Sequence, residues 1–383
     1  MDEENINDFS EKIRKDSRRS MIKFIAFMSV LVIILGLYVT KDRWLPKGSV
    51  EGFFNGDEVT DGNFPLQITN GMSYQTCRLG DGFALLSDSW FYIYSEDGER
   101  LENRAHTYTN AILKQAGSRA LIYEQGGSSF RVEGIKKSIY QHRFSDGFIS
   151  MAFMSEKGIV AVVSVSEKYV CELHIFDKDG EEIYFRGCSQ RIMDVVFNRE
   201  SDGCYLVTID AEKGKIVSKA FSVDFNSKDI KWESENLQTC CISSYITDDD
   251  GVFIFGDTEC DYFDKNGQLK NLPYKGNLID AAFKGKKAAL IFESKERRKT
   301  TLAMLEDWQK EKDIMLTKTV KSIFAEEEAV YVMTETDIEA YGYDGALLKR
   351  VEIKEPYNDF YKVGDYIMLF GYNEINRIEF VIK

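Results

Sequence analysis

Eight short apolar runs recur along this chain at intervals of about 35 to 48 residues, and this repeat limits the fold more than any other feature. Each run follows a tight turn that is polar or contains glycine, and most of these turns follow another short apolar stretch. The runs occupy residues 83–89, 120–125, 159–166, 204–210, 252–258, 288–294, 329–336 and 366–372. A repeat of this length, with three or four short strands and no helical periodicity, predicts the blade of a β-propeller.

The runs are apolar at nearly every position, as expected for a middle strand that is covered on both faces when blades stack. A third, more alternating strand follows each run. Four of these strands end in Asp-Gly or Asn-Gly hairpin signals, at residues 93–100, 175–182, 262–269 and 340–347. The sequence therefore predicts an all-β, eight-bladed β-propeller of the WD40-like or PQQ-like kind, with seven blades as the alternative.

The two ends of the repeat region predict how the ring closes. The last run is followed only by residues 375–383, which leaves that blade one strand short. An additional strand-like stretch, residues 64–70, precedes the first repeat. We expect Phe64–Thr69 to form the outer strand of the last blade by pairing with Ile378–Lys383, because an unpaired strand edge invites aggregation.

A single apolar segment, Met21–Val39, precedes the repeats and is long enough as a helix, at about 1.5 Å per residue, to span a bilayer core. Basic residues crowd its N-terminal side, which predicts a cytoplasmic N-terminus and an extracytoplasmic body. The predicted organisation is a cytoplasmic arm (1–20), a transmembrane helix (21–39), a linker (40–63) and the propeller (64–383). A cleaved signal peptide is the alternative, although the segment is long and lacks a small-x-small cleavage site.

Composition limits the expected partners and indicates the state of the cysteines. The chain has 63 acidic and 49 basic residues, a net charge of −14, which disfavours nucleic acid as a partner. Its seven cysteines include several in or beside predicted strands, such as Cys77, Cys171, Cys204 and Cys241. We expect buried, reduced thiols, since a free thiol packs as a small apolar group. One disulfide is the alternative, because disulfides form in proteins outside the cytoplasm and the body is expected there.

One polar cluster lies at the entry to the second predicted blade. Arg104, His106, Tyr108 and Asn110 alternate along one side of this segment, and Arg119 lies in the next turn. Because functional residues concentrate on loops at the faces of a rigid scaffold, these five residues form a candidate binding patch at a face or channel mouth. The structural alternative is that Asn110 caps a turn and Arg104 pairs with a surface carboxylate.

Acidic turns beginning at Asp177, Asp248 and Asp264 resemble the first part of calcium-binding loops. Calcium needs six or more oxygen ligands, including a further carboxylate at fixed spacing, so we interpret these segments as hairpin turns. The sequence shows no Ser-His-Asp order, zinc spacing or phosphate loop, and its three histidines are scattered. It therefore predicts no catalytic residue, no metal site and no cofactor.

Residues 83–127 also carry a resemblance to a known family. The matching elements are A-L-L-S-D at Ala84–Asp88, R-x-H-x-Y-x-N at Arg104–Asn110, and G-S-R-A-L-x-Y-x-x-G-G at Gly117–Gly127. On these elements the chain resembles the domain-of-unknown-function family 5711 of Gram-positive bacteria, over its whole length and most sharply in the first two blades. Ala111 stands where the family pattern has proline. The resemblance implies a one-pass anchor followed by a propeller, and it implies no activity.

These observations predict a membrane-anchored, extracytoplasmic propeller that acts as a non-enzymatic binding or scaffold module at the bacterial cell envelope. Its expected partners are the cytoplasmic membrane, through residues 21–39, and another envelope protein or a cell-wall component. The alternative is an envelope enzyme acting on glycan, a hydrolase or lyase, with acidic residues near the central channel. Such an enzyme needs two carboxylates that converge in a pocket.

Overall fold

Four-stranded antiparallel sheets, eight in number, make up the part of the chain that the computed structural model describes: residues 62–69, 73–274, 276–293, 300–306 and 309–382. Seven sheets consist of four strands consecutive in sequence, and the eighth combines the first strand with the last three. This arrangement confirms the eight-bladed propeller. We number the blades 1 to 8 along the chain and the strands of each blade from the central channel outward.

The chain enters the ring through β1 (Leu66–Gln67). Blade 1 comprises β2 (Gln75–Leu79), β3 (Gly82–Leu86), β4 (Trp90–Tyr94) and β5 (Arg100–Ala105). Blade 2 comprises β6 (Ala111–Ala116), β7 (Arg119–Glu124), β8 (Ser129–Glu133) and β9 (Ser138–Arg143). Blade 3 comprises β10 (Ile149–Met154), β11 (Val160–Ser164), β12 (Cys171–Phe176) and β13 (Glu182–Cys188). Blade 4 comprises β14 (Arg191–Phe197), β15 (Gly203–Glu212), β16 (Lys215–Asp224) and β17 (Ile230–Glu233).

Blade 5 comprises β18 (Cys241–Ile246), β19 (Val252–Gly256), β20 (Glu259–Phe263) and β21 (Leu269–Pro273). Blade 6 comprises β22 (Asn277–Lys284), β23 (Lys287–Glu293), β24 (Thr300–Glu306) and β25 (Gln309–Leu316). Blade 7 comprises β26 (Val320–Ala325), β27 (Ala329–Thr334), β28 (Asp337–Gly342) and β29 (Leu347–Glu352). Blade 8 comprises β30 (Tyr357–Val363), β31 (Tyr366–Gly371) and β32 (Glu374–Glu379), completed by β1.

Each of the eight apolar runs forms the second strand of a blade, as the repeat predicts. In β11 every side chain is buried. Ala161 and Val163 pack with residues of blade 4, whereas Val160 and Val162 on the opposite face pack with residues of blade 2. The core is therefore divided among the interfaces between neighbouring blades, which explains why these runs are apolar throughout instead of alternating.

The predicted Asp-Gly and Asn-Gly hairpins join the third and fourth strands of blades 1, 3, 5 and 7. In each hairpin the glycine has a positive φ, between 82° and 95°, at Gly98, Gly180, Gly267 and Gly345. The preceding Asp or Asn is not among the residues with positive φ. Glycine alone thus provides the left-handed conformation that the bulge of a three-residue hairpin loop requires.

Closure of the ring by the N-terminal strand is confirmed, but its pairing partner is not the predicted one. β1 pairs with the beginning of β32, with Leu66 opposite Ile375 and Gln67 opposite Glu374, instead of with Ile378–Lys383. Leu66 and Ile375 are both fully buried. The short strand adopts this register because it places both apolar side chains on the core face, and a shift of one residue would expose Leu66.

Aromatic side chains fill the junction where blade 8 meets blade 1. The Phe83 ring stacks on Tyr94 at a centroid distance of 4.9 Å and meets the edge of Phe370 at 5.8 Å. The Phe64 ring, from the entering segment, lies 6.5 Å from Phe83. Offset and edge-on contacts of this kind are favourable for aromatic pairs, so the closing junction is packed like the other blade interfaces.

The predicted arm, the anchor Met21–Val39 and all but the last two residues of the linker lie outside the described residues. Within the described residues no helix has the length and apolar character to cross a membrane. All seven cysteines are described and carry free thiols. Five of them are buried as predicted, whereas Cys77 and Cys240 are half-buried.

Candidate binding face

Arg104, the first residue of the predicted patch, lies on β5, the outer strand of blade 1. Its guanidinium donates to the Glu133 carboxylate at 2.8 Å, to the Gly134 carbonyl at 2.8 Å and to the Ile135 carbonyl at 2.9 Å. Glu133 is fully buried. Arg104 therefore ties blade 1 to the turn between β8 and β9 of blade 2. Arg104 thus pairs with a carboxylate, as the structural alternative expects, but this carboxylate is buried and does not lie at the surface.

The side chains of His106 and Tyr108 also point into the protein interior. The His106 Nε2 lies 2.8 Å from the Ser87 carbonyl oxygen, and its Nδ1 lies 3.3 Å from the Tyr108 backbone nitrogen. Both side chains are buried, and burial raises the pKa of Tyr108. A histidine held by two backbone groups in this way fixes the chain between blades 1 and 2.

Asn110 directly precedes β6, whereas Arg119 begins β7 beyond the turn that follows β6, so the two residues lie on opposite faces of the ring. The Asn110 side chain donates to Gln125 Oε1 at 3.2 Å, and Arg119 lies within 3.4 Å of the Lys178 carbonyl oxygen. The structure therefore does not bring Arg119 together with Asn110, because β6 crosses the blade between them. A binding role for Arg104, His106, Tyr108, Asn110 and Arg119 stays a prediction.

The carboxylates of the acidic turn Asp248–Gly251 bond to protein groups. Asp248 pairs with Arg199 of the neighbouring blade, and Asp250 Oδ1 accepts from the Arg199 backbone N–H at 3.0 Å. Asp249 accepts from the hydroxyls of Thr247 at 2.5 Å and Tyr262 at 2.9 Å. The contacts of Arg199 join blades 4 and 5, whereas those of Asp249 stay within blade 5, in agreement with the interpretation of this segment as a turn.

The central channel opens into a cavity of about 1170 Å³, lined by inner strands and turns of blades 2 to 7. Six inner strands, β10, β14, β18, β22, β26 and β30, carry a bulge at the equivalent position near their beginning. A bulge redirects the side chains around it. In alternate blades the residue after the bulge is an aspartate: Asp194, Asp280 and Asp359.

These three carboxylates accept hydrogen bonds from other groups of the propeller. Asp194 Oδ2 accepts from the backbone N–H of Ser244 at 2.6 Å and from its hydroxyl at 2.7 Å, which links blade 4 to blade 5. Asp194 Oδ1, and one oxygen each of Asp280 and Asp359, accept the N–H of the following residue at 2.8 to 2.9 Å. Burial raises the pKa of all three carboxyl groups. Asp194 therefore joins blades 4 and 5, and each of the three carboxyl groups is held by a backbone N–H of its own strand.

A serine, a histidine and a glutamate are aligned within blade 3. Ser164 Oγ lies 3.2 Å from His174 Nε2, and His174 Nδ1 lies 2.8 Å from Glu182 Oε1. This order of contacts is that of a catalytic triad. Ser164, however, is only 2% exposed, so a substrate carbonyl has no approach to its hydroxyl. We interpret the network as a polar contact across strands β11, β12 and β13 that runs from the buried Ser164 to the exposed Glu182.

Exposed apolar side chains concentrate on one face of the ring. We define the upper face as the one with the turns between second and third strands and with the connections between blades. It carries the exposed side chains of Phe148, Val165, Tyr169, Val170, Ile216, Ile242, Ile279 and Tyr372. Ile242 and Ile279 occupy the bulges of β18 and β22 at the channel mouth and are 59% and 54% exposed.

The opposite, lower face is bound together by charged and polar contacts. Lys157 of blade 3 pairs with Glu200 of blade 4 at 2.5 Å, and Lys287 of blade 6 donates to the Glu327 carbonyl of blade 7 at 2.9 Å. Arg199 and Asp248 make the equivalent contact between blades 4 and 5. Since exposed apolar groups mark interaction sites, the upper face is the candidate binding face.

Comparison with known proteins places the chain in a family. The model of a family of unknown function, DUF5711, matches residues 63–305. The chain belongs to this family. The match extends from the closing strand into the third strand of blade 6, a shorter range than the whole-length resemblance expected from the sequence. A search of curated protein sequences finds no match.

Two solved structures illustrate the fold that this DUF5711 member shares. BamB from Moraxella catarrhalis superposes with a TM-score of 0.55 at 9% identity, covering 82% of this chain and 97% of that one. Sqt1 from Saccharomyces cerevisiae superposes with a TM-score of 0.60 at 9% identity, covering 84% and 100%. At this level of identity the similarity establishes the propeller fold.

One projecting element of this DUF5711 chain was not predicted from the sequence. The strands β15 and β16 are each ten residues long, about twice the usual length, so their hairpin projects from the upper face of blade 4. Its tip, Lys213-Gly214, has two positive φ angles, 51° and 79°. Only Gly214 signals this turn in the sequence, because the favoured first residue of such a loop is Asn, Asp or Gly and not Lys. The hairpin presents Ile216, which is 56% exposed.

Proposed function

We propose that this DUF5711 chain is a membrane-anchored, extracytoplasmic scaffold that binds a protein partner at the cell envelope through its upper face. The observation that carries the proposal is the set of exposed apolar side chains on that face, headed by Ile216, Ile242 and Ile279. The hydrogen-bonded state of Asp194 supports binding over the alternative, glycan hydrolysis or cleavage, because both its oxygens already accept hydrogen bonds.

The size of the apolar face is adequate for a specific interaction. Fully burying one isoleucine side chain is worth about 1.5 to 3 kcal/mol, so three of them contribute about 5 to 9 kcal/mol. A micromolar complex has a binding free energy of about −8 kcal/mol after all costs are subtracted. The three isoleucines therefore supply a large part of such an interaction, and neighbouring aromatic groups such as Tyr169 and Tyr372 add to it.

The partner is tested by capture from native membranes with the full-length chain. A variant with Ile216, Ile242 and Ile279 all replaced by serine should lose partners that the wild-type chain retains. The matched control replaces Leu101, Leu347 and Leu348, which are also exposed but lie on outer strands, by serine. Retention of the same partners by the upper-face variant and the wild type would contradict the proposal.

The orientation is tested separately. In intact protoplasts a tag before Asp8 should be protected from external protease, whereas a tag after Lys383 should be digested. The basic flank of Met21–Val39 supports this outcome. The reverse pattern of protection would place the propeller in the cytoplasm and would exclude an envelope function.

A further inference from the structure

Two cysteines of blade 3 lie directly opposite each other on neighbouring strands. Cys171 begins β12, Cys188 ends β13, and the two are register partners. Opposite Cα atoms of an antiparallel pair are about 4.5 to 5.5 Å apart, which lies within the range of about 4.4 to 6.8 Å found in disulfides. All seven cysteines are described, and no other two of them are register partners.

The two thiols also interact with each other. The neighbouring Cys188 side chain lowers the pKa of Cys171, and Cys171 raises the pKa of Cys188. Each thiol donates to a backbone carbonyl, Cys171 Sγ to Gln190 at 3.4 Å and Cys188 Sγ to Arg186 at 3.8 Å. Arg191 adds to the lowering at Cys171. Burial instead raises the pKa of the thiols of Cys77, Cys204, Cys240, Cys241 and Cys260. Cys171 is thus the thiol with most thiolate character, and the thiolate is the reactive form.

We propose that Cys171 and Cys188 form a reversible cross-strand disulfide that fastens the outer strand of blade 3 to its neighbour. The pair lies at the open end of the ladder, where the Val170 N–H donates to the Cys188 carbonyl at 3.0 Å. Cys171 and Cys188 are 5% and 8% exposed, so an oxidant reaches the Cys171 sulfur only when this end of the strand pair opens. The end of a ladder frays more readily than its middle, and it can also move slightly to reach disulfide geometry. The bridge would secure β13, an edge strand whose Ile183 and Phe185 are 41% and 50% exposed.

The reaction requires a disulfide as oxidant, for example oxidised glutathione. The Cys171 thiolate attacks one sulfur of the oxidant, the S–S bond of the oxidant breaks, and one glutathione thiolate leaves. The Cys188 thiol then loses its proton to solvent, and its sulfur attacks the Cys171 sulfur of the mixed disulfide. A second glutathione leaves. Two protein thiols are oxidised and one glutathione disulfide is reduced to two thiols.

The test uses the full-length chain in detergent, incubated with reduced or oxidised glutathione and then alkylated under denaturing conditions. We expect peptide mapping of the oxidised sample to show the Cys171 and Cys188 peptides joined, and a reductant to separate them. The mapping uses the unaltered chain, so its outcome does not depend on the folding of any variant. Unlinked Cys171 and Cys188 peptides after oxidation, or linkage of either to another cysteine, would overturn the proposal.

A variant tests the order of the steps. In Cys188→Ala the second attack is impossible, so one glutathione should remain attached to Cys171. The control Cys240→Ala removes the half-buried thiol outside the pair and should leave the 171–188 linkage unchanged. If Cys171 of the Cys188→Ala variant acquires no glutathione under conditions that oxidise the wild type, Cys171 is not the attacking thiol and the proposed mechanism fails.

Discussion

Removing the closing strand should destabilise the whole ring, because β1 completes blade 8 from the opposite end of the chain. Leu66 is fully buried and Ile68 is 5% exposed. The Ile68 N–H donates to the Asn373 carbonyl at 2.8 Å, and Leu66 pairs with Ile375. The perturbation with the least change to the chain is Leu66→Ala, and the complete one is a truncated chain that begins at Gly71.

The expected magnitude follows from these contacts. Leu→Ala in a core costs about 2 to 5 kcal/mol, including the cavity that remains. For a domain of this size about 1 kcal/mol corresponds to roughly 2 °C, so Leu66→Ala should lower the melting temperature by about 4 to 10 °C. Truncation removes two buried side chains, worth about 3 to 6 kcal/mol, and backbone hydrogen bonds worth about 1 kcal/mol each. This loss approaches the typical stability of about 5 to 15 kcal/mol.

Thermal unfolding of a chain beginning at Ser49 provides the reference, followed by circular dichroism and light scattering. Thr69→Ala is the matched control, since Thr69 belongs to the same segment and is exposed. It should change the melting temperature by no more than about 1 °C, as expected for a surface substitution. The truncated chain should also aggregate, because β32 becomes an unpaired edge. Equal melting temperatures for the truncated and reference chains would show that β1 does not hold the ring closed.

Three further predictions concern buried polar groups and turns. Arg104→Ala should lower the free energy of unfolding, measured with denaturant, by about 2 to 4 kcal/mol, because it removes one partner of the buried Glu133 carboxylate. Lys157→Ala, which breaks an exposed ion pair, is the control and should lower it by less than about 1 kcal/mol. Burial raises the pKa of Asp261 to about 6 in the folded state, above the unfolded value, so the folded state holds the proton more tightly and stability should fall as pH rises from about 4 to 6. In Asp261→Asn this fall, about 3 kcal/mol at most, should be absent, and an unchanged pH profile of unfolding would refute the assignment. Gly267→Ala should lower the melting temperature, because φ is +82° and the added Cβ would lie 2.9 Å from the Trp232 ring; an unchanged melting temperature would mean that the turn relaxes freely.

The blade count was predictable because it depends on information that is local in the sequence. A second strand covered on both faces must be apolar at nearly every position, as in β11. An Asp-Gly pair, such as the one that ends at Gly180, indicates a turn wherever it occurs in a sequence. The spare stretch at 64–70 then required a partner in the incomplete last blade. Its register was not predictable from composition, since the pairing of Leu66 with Ile375 depends on which side chains reach the core after the ring closes.

The candidate site was less predictable, because the role of a polar residue depends on the neighbouring blade. Arg104 and His106 look exposed in the sequence, yet each bonds across a blade or strand interface. Ile242 and Ile279 look like core residues, yet bulges direct them to the channel mouth. The sequence alone determined the repeat, the strands and the closing segment, whereas the tertiary structure decided which polar groups join blades and which apolar groups face solvent. The physical reason is that strand periodicity is set within a few residues, while burial is set by contacts between segments far apart in the chain.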